Sequence, residues 1–216
     1  MLTIAHRGYH ADEPENSLEA FAAALALEVD GIETDVRLSA DHLPVLMHDR
    51  HLGGLEVGSL TQRQLSQAVG HHVPTLDEAL ARFAEPLWVL EIKTPQVVEA
   101  AVAVIERYAR TRRLLVISFW HPAIDLLARR LDVDLGVLAC LRPLDAGAFF
   151  PAGAASSRIG TIVWNYEFID EALLAQAAAR GLRNFVYGVE TLAEHERCAH
   201  LGLKGLITDH PQRSPR

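Results

Sequence analysis

Trp88-Val89-Leu90-Glu91-Ile92-Lys93-Thr94-Pro95 is the stretch that decides the fold. Strand side chains alternate, so Trp88, Leu90 and Ile92 share one face while Glu91 and Lys93 share the other. The apolar face suits a layer of helices. Thr94 then reads as a helix cap, with Pro95 in the first turn. This is a strand that feeds directly into a helix, and the same unit recurs downstream. Strand Leu114 to Phe119 precedes a helix opened near Pro122. Strand Leu135 to Cys140 precedes a Gly/Ala/Pro-rich segment with at most a weak helix. Strand Thr161 to Asn165 precedes the helix Ile169 to Arg180, stopped by Gly181. Strand Phe185 to Val189 precedes a helix opened by Thr191 and Glu194, and Gly205 to Thr208 is the last strand.

Upstream, strand Leu2 to His6 is followed by a helix from Leu18 to Glu28, with Asn16 and Glu19 at the positions of a capping pair. Strand Gly31 to Leu38 follows, then a short strand from Val45 to His48. The stretch from Arg50 to Val73 is irregular and reads as an excursion on the rim, with one short helix around Leu60 to Ala68. Thr75 and Glu78 form a capping box before the helix Leu76 to Phe83. Eight principal strands alternate with helices. Such alternation makes the strands parallel, because each crossover returns to the same edge. Eight units predict a TIM-like (β/α)8 barrel in a single domain over residues 1–216, with a frayed tail at 210–216. A doubly wound open sheet is the alternative that fits the same pattern.

The chain carries 28 acidic and 20 basic residues, a formal charge of −8. That balance argues against nucleic acid as a partner, which needs a basic face. It leaves room for an anionic small molecule, since a metal and a few local cations reverse the sign within a pocket. Cys140 and Cys198 are the only cysteines and are not a CxxC pair, so both read as idle thiols or small buried hydrophobes. No leader-like segment opens the chain and no apolar run is long enough to span a bilayer, which predicts a cytoplasmic protein without stable membrane insertion. The oligomeric state is not legible.

Glu33 and Asp35 alternate with Ile32, Thr34 and Val36, so the second strand also turns two carboxylates inward. Charges inside buried strands are costly unless paired or metal-bound. Glu33, Asp35 and Glu91 therefore look like a cage for a hard divalent cation. The competing reading is a buried ion network neutralised by Lys93. His6 and His48 each end a strand, where barrel enzymes place working groups, and imidazole exchanges protons near neutral pH. Arg7 has the bidentate geometry for phosphate, and Lys93 adds a point charge. A salt bridge from Arg7 to Glu15 or Asp12 is the alternative. Gly8 lets the backbone turn sharply after the strand. Trp120, Trp164 and Tyr187 follow or end strands and suit either a pocket lining or packing, while parity assigns Trp88 to packing. His10, His42, His51, His71 and His72 read as surface or loop histidines.

His6-Arg7-Gly8, Pro14-Glu15-Asn16-Ser17, Gly31-Ile-Glu33-Thr-Asp35-Val36, His48-Asp49 and Glu91-Ile-Lys93 together resemble the glycerophosphodiester phosphodiesterase family. Pro74-Thr75-Leu76 and the closing Gly205 to Asp209 with Pro211 extend the resemblance over nearly the whole chain. It implies hydrolysis of glycerophosphodiesters to glycerol 3-phosphate and an alcohol. By the same resemblance His6 and His48 are the acid/base pair, and Glu33, Asp35 and Glu91 ligate Mg2+ or Ca2+. Arg7 and Lys93 hold phosphate, and Glu15 occupies a supporting position. The segment after His48 and the Tyr187-Gly188 end of the seventh strand depart from the family pattern, so they bear on the alcohol accepted. Two other functions fit the same residues. One is phospholipase D-like cleavage of lysophospholipids or sphingolipids that yields a cyclic phosphate, and the other is a silent phosphate-binding barrel.

Overall fold

The computed structural model of the protein describes residues 1–149 and 158–214. In chain order the strands are β1 (Leu2–Ala5), β2 (Gly31–Leu38), β3 (Pro44–Leu46), β4 (His51–Leu52), β5 (Leu55–Glu56), β6 (Leu87–Ile92), β7 (Arg113–Ser118), β8 (Asp134–Ala139), β9 (Ile159–Asn165), β10 (Arg183–Tyr187) and β11 (Gly205–Thr208). The helices among the described residues are α1 (Leu18–Ala26), α2 (Gln62–Val69), α3 (Leu76–Arg82), α4 (Val98–Tyr108), α5 (His121–Ala128), α6 (Glu171–Ala179) and α7 (Leu192–His200). Eight parallel strands close into a barrel in the order β1-β2-β6-β7-β8-β9-β10-β11. Closure is made by β1, which pairs with β11 from Leu2 opposite Gly205 and with β2 from Ile4 opposite Gly31. The open-sheet alternative is thereby ruled out.

Strand parity sets two cores. Ile4, Val89, Leu115, Leu138, Val163 and Phe185 fill the barrel interior. Trp88, Leu90, Ile92 and Trp164 face outward into the larger layer between strands and helices. Trp88 meets Phe21 of α1 edge to face at 5.2 Å and donates its indole N–H to the Phe83 carbonyl at 3.1 Å. Trp164 is fully buried there and donates to Asn184 Oδ1 at 2.9 Å. Packing therefore explains both, and the pocket reading of Trp164 is corrected. The barrel narrows where Gly205 stands: a Cβ at that position would fall 2.3 Å from the Phe185 ring.

Several local expectations change. Thr75 and Thr191 form full capping boxes with Glu78 and Glu194. Ser17, not Asn16, caps α1, by accepting from the Ala20 N–H. Thr94 makes no side-chain cap, because a 3-10 turn at Pro95–Val97 precedes α4. Asp170, one residue after the predicted start of its helix at Ile169, caps α6. The weak helix sought after β8 is a 3-10 turn at Ala146–Phe149, and residues 150–157 lie outside the described residues. The tail opens with a 3-10 turn at Pro211–Arg213 whose Pro211 is buried, and residues 215–216 lie outside the described residues. Cys140 is exposed and Cys198 buried. Among the described residues, no helix is long and apolar enough to cross a membrane.

Candidate active site

Three carboxylates meet inside the barrel where β2 and β6 run side by side. Asp35 lies opposite Glu91 in the strand register, and Glu33 is two residues earlier on the same face of β2. Glu33 is 2% exposed, Asp35 0% and Glu91 8%. One oxygen from each lies within 4.8 Å of the other two. Two oxygens on opposite sides of a calcium ion are roughly 4.6–5.2 Å apart, so the spacing suits a divalent cation. Asp35 Oδ1 is buried and accepts no aligned hydrogen bond, although the Lys93 ammonium stands 2.8 Å away. A hard oxygen with a spare lone pair in a group of acids is the donor set such an ion takes.

The loop after β1 holds this cluster in place. Arg7 and Gly8 both adopt left-handed backbone, with φ of 55° and 79°. At Gly8 a Cβ would lie 2.7 Å from the Ala20 carbonyl carbon, so the turn admits only glycine without rearrangement. The turn aims the Arg7 N–H at Glu33 Oε2, 3.1 Å away. It also sets the guanidinium between Glu15 at 2.8 Å and Asp35 at 3.1 Å. Asn16, buried and at φ 57°, reaches inward. Its amide donates to Asp35 Oδ2 at 2.9 Å, and its carbonyl accepts from Thr34 Oγ1 and the Asp35 N–H. That inward bond network is why Asn16 does not cap α1.

The charges oppose one another unevenly. Burial pushes the Glu33 carboxyl well above the usual carboxylate range, and the neighbouring Asp35 and Glu91 add to the rise against Lys93. Burial also raises Glu91, with Lys93 opposing. Asp35 differs: burial would raise it, but Lys93 and Arg7 outweigh that and hold it below its ordinary value. Lys93 bridges Asp35 and Glu91 at 2.8 Å each. The predicted ion network is therefore real, yet among the described residues it leaves Glu33 without a salt-bridged lysine or arginine. Pairing and metal ligation are complementary readings here, not rivals.

The two histidines arrive by different routes. His6 directly follows β1, as predicted. His48 does not end a barrel strand. It follows β3, which turns back antiparallel on the end of β2, with Val36 opposite Leu46. The Met47 N–H bonds the Asp35 carbonyl at 3.0 Å, and Arg37 Nε donates to the His48 carbonyl at 2.8 Å, so the hairpin brings His48 back over the cluster. His6 Nδ1–H donates to Asp209 Oδ1 at 2.7 Å, which leaves Nε2 facing Glu33 at 3.8 Å. His48 Nδ1–H donates likewise to Asp49 at 3.0 Å. A carboxylate on one ring nitrogen fixes the tautomer and frees the other for proton transfer. His10 shares Asp209 at 3.0 Å, and these two bonds hold the Asp209 carboxyl far below the usual range against the effect of burial.

A cavity of about 140 Å³ opens among these groups. His6, Arg7, Glu33, His48, Glu91 and Lys93 line one side; Ile117, Phe119, Leu138, Tyr187 and Ile207 line the other. The site predicted from sequence thus converges, with Asp35 just beneath and Glu15 bound to Arg7 at the edge. Of the three aromatic candidates only Tyr187 reaches this cavity; Trp120 borders an adjoining groove with Arg37 and Lys93. Sequence reading missed Asp209 and Asn16. Asp209 follows the last strand directly, and closing a barrel sets that strand beside the first, which is the signal that marks it. His10 and His72 belong to the rim, and His72 pairs with Glu78 at 3.1 Å.

A family model described as the Glycerophosphoryl diester phosphodiesterase family matches residues 6–213. The chain belongs to that family. A Mycobacterium tuberculosis protein named "Probable glycerophosphodiester phosphodiesterase 2" is 34% identical over 166 residues, covering 68% of this chain and 63% of that protein. The glycerophosphodiester phosphodiesterase of Caldanaerobacter subterraneus is 27% identical over 235 residues, 98% of this chain and 95% of that protein. Among solved structures, a putative glycerophosphoryl diester phosphodiesterase from Silicibacter pomeroyi superposes with a TM-score of 0.87 at 25% identity, over 99% of this chain and 91% of that one. An Oleispira antarctica phosphodiesterase, solved with its product sn-glycerol-3-phosphate, shares the fold at a TM-score of 0.83 and 21% identity, over 99% and 94%.

Proposed function

We propose that this glycerophosphodiester phosphodiesterase hydrolyses glycerophosphodiesters to glycerol 3-phosphate and an alcohol, with His6 and His48 as the proton-transfer pair and one divalent cation, Mg2+ or Ca2+, on Glu33, Asp35 and Glu91. The observation that carries the reading is the buried three-carboxylate cluster, one oxygen of each within 4.8 Å, beneath two histidines at the mouth of one cavity. A cation bound there supplies Lewis-acid stabilisation of charge on a phosphoryl oxygen. Arg7 and Lys93 hold fixed positive charge beside it, each oriented by carboxylates, which favours the phosphoryl group as its charge redistributes. Nε2 of one histidine takes the proton of the attacking oxygen, and Nε2 of the other returns one to the leaving alkoxide. Glu15 keeps Arg7 aligned.

The test is Glu33→Gln, which keeps the shape and removes the charge. Cation binding by calorimetry and release of glycerol 3-phosphate from glycerophosphocholine should both be lost. A variant that binds the cation and turns over as the wild type does would overturn the assignment.

A further inference from the structure

His10 reads from the sequence as a loop histidine, yet its ring is bonded into the catalytic end of the barrel. The link is Asp209, whose backbone is pinned from both sides. Thr208 lies opposite Ala5 in the strand register, and the His6 N–H donates to the Thr208 carbonyl at 3.0 Å. Thr208 Oγ1 accepts from the His210 N–H at 2.9 Å and donates to His195 Nε2 at 2.9 Å. The Asp209 carboxylate is less constrained. It is half-exposed, and among the described residues its side-chain hydrogen bonds come from two rings, His6 Nδ1 at 2.7 Å and His10 Nε2 at 3.0 Å. Both meet the same oxygen, Oδ1, which has a lone pair for each. An ionised carboxylate offers only lone pairs, so both rings donate.

One bond between two side chains leaves the pair room to turn together among staggered rotamers. A second bond from a separately anchored ring opposes that turning. His10 is such a ring. The left-handed turn at Arg7 and Gly8 leads into it, and the Tyr9 N–H donates to the Ala20 carbonyl at 2.9 Å, which ties the loop to α1. His6 lines the catalytic cavity, whereas His10 and Asp209 do not. The three side chains therefore act in series, from His10 through Asp209 to His6.

We propose that His10 is a positioning residue for the reaction: it holds Asp209 Oδ1 where His6 Nδ1–H donates to it, and so keeps His6 Nε2 bare and turned to the substrate. The effect on turnover rests on the phosphodiesterase reading; the effect on the His6 ring does not. Nε2 of His10 carries a hydrogen in the imidazolium and in the neutral tautomer alike, so the hold does not require His10 to be charged.

The test compares His10→Leu, which removes the donor, with His10→Gln, whose amide still donates. Two readouts are taken: kcat and KM for glycerophosphocholine with Mg2+ or Ca2+, and the His6 tautomer from its ring 15N shifts above the range in which imidazole ionises. His10→Leu should lower kcat by about three- to tenfold with KM unchanged, and should move part of the His6 population to the Nε2–H tautomer. His10→Gln should keep both near wild type. In an Asp209→Asn background, His10→Leu should add nothing. An unchanged kcat and tautomer in His10→Leu overturns the proposal. So does a loss that His10→Gln fails to restore, a loss additive with Asp209→Asn, or a rise in KM alone, which would put His10 on the substrate. Silence of the wild type on glycerophosphodiesters overturns the phosphodiesterase reading, while the tautomer still decides whether His10 holds His6 through Asp209.

Discussion

His6 and Asp209 stand 203 positions apart in the chain and 2.7 Å apart in the fold. Under the proposed mechanism the contact makes Asp209 a positioning residue that acts through His6: it holds Nδ1–H and leaves Nε2 for proton transfer. His6→Ala and His48→Ala should each lower kcat by about 10²–10⁴-fold, the contribution of a positioned acid or base. Asp209→Asn should lower kcat by less, with KM unchanged, and should add nothing in a His6→Ala background. An additive effect in that double variant would show that Asp209 works elsewhere. Most of the site was legible at this scale, because buried strands tolerate charge only for a reason: Glu33, Asp35, Glu91 and Lys93 stood out by parity alone. Asp209 did not. It lies in an exposed, polar stretch after the last strand, and nothing local distinguishes it until the barrel closes.

At the scale of elements, the β2–β3 hairpin and the loop from Arg7 to Ser17 carry the positioning. The strand-helix alternation and both threonine capping boxes were readable, since each rests on residues within one turn of one another. The hand of β3 was not. A short apolar run says strand, but only the return from Ser39 to Leu43, closed by the Ser39 N–H to the Leu43 carbonyl, makes it antiparallel. Asn16 was misassigned for a related reason: cap and core roles use the same amide, and burial against Asp35 decides between them. Asn16→Ala should therefore cost about 1–3 kcal/mol in urea unfolding, the penalty for leaving Asp35 and Thr34 short of partners. It should also weaken cation binding. Thr75→Ala, at the start of α3, should cost about 1 kcal/mol and leave cation affinity unchanged. Equal loss of affinity in both variants would mean that the site responds to stability rather than to Asn16.

For the whole molecule, eight strands place the acids at the mouth end of a closed barrel, and that placement couples the site to stability. Glu33 has its carboxyl pushed up by burial and by Asp35 and Glu91. The native state then holds a proton that the unfolded chain has lost, so cation-free protein loses stability as pH rises from the ordinary glutamate range toward the raised value. A cation held as proposed on Glu33, Asp35 and Glu91 would displace that proton and remove the penalty. The thermal shift given by Mg2+ or Ca2+ should therefore be larger at pH 8 than at pH 5, and a shift independent of pH would place the cation elsewhere. Barrel architecture followed from the count of strand-helix units, whereas closure needed the pairing of β1 with both β11 and β2, which no periodicity encodes. The most direct test of the account is glycerol 3-phosphate release from glycerophosphocholine by metal-depleted protein. The account predicts no product with EDTA and full turnover once Mg2+ or Ca2+ is returned. Equal turnover with and without the cation would contradict it.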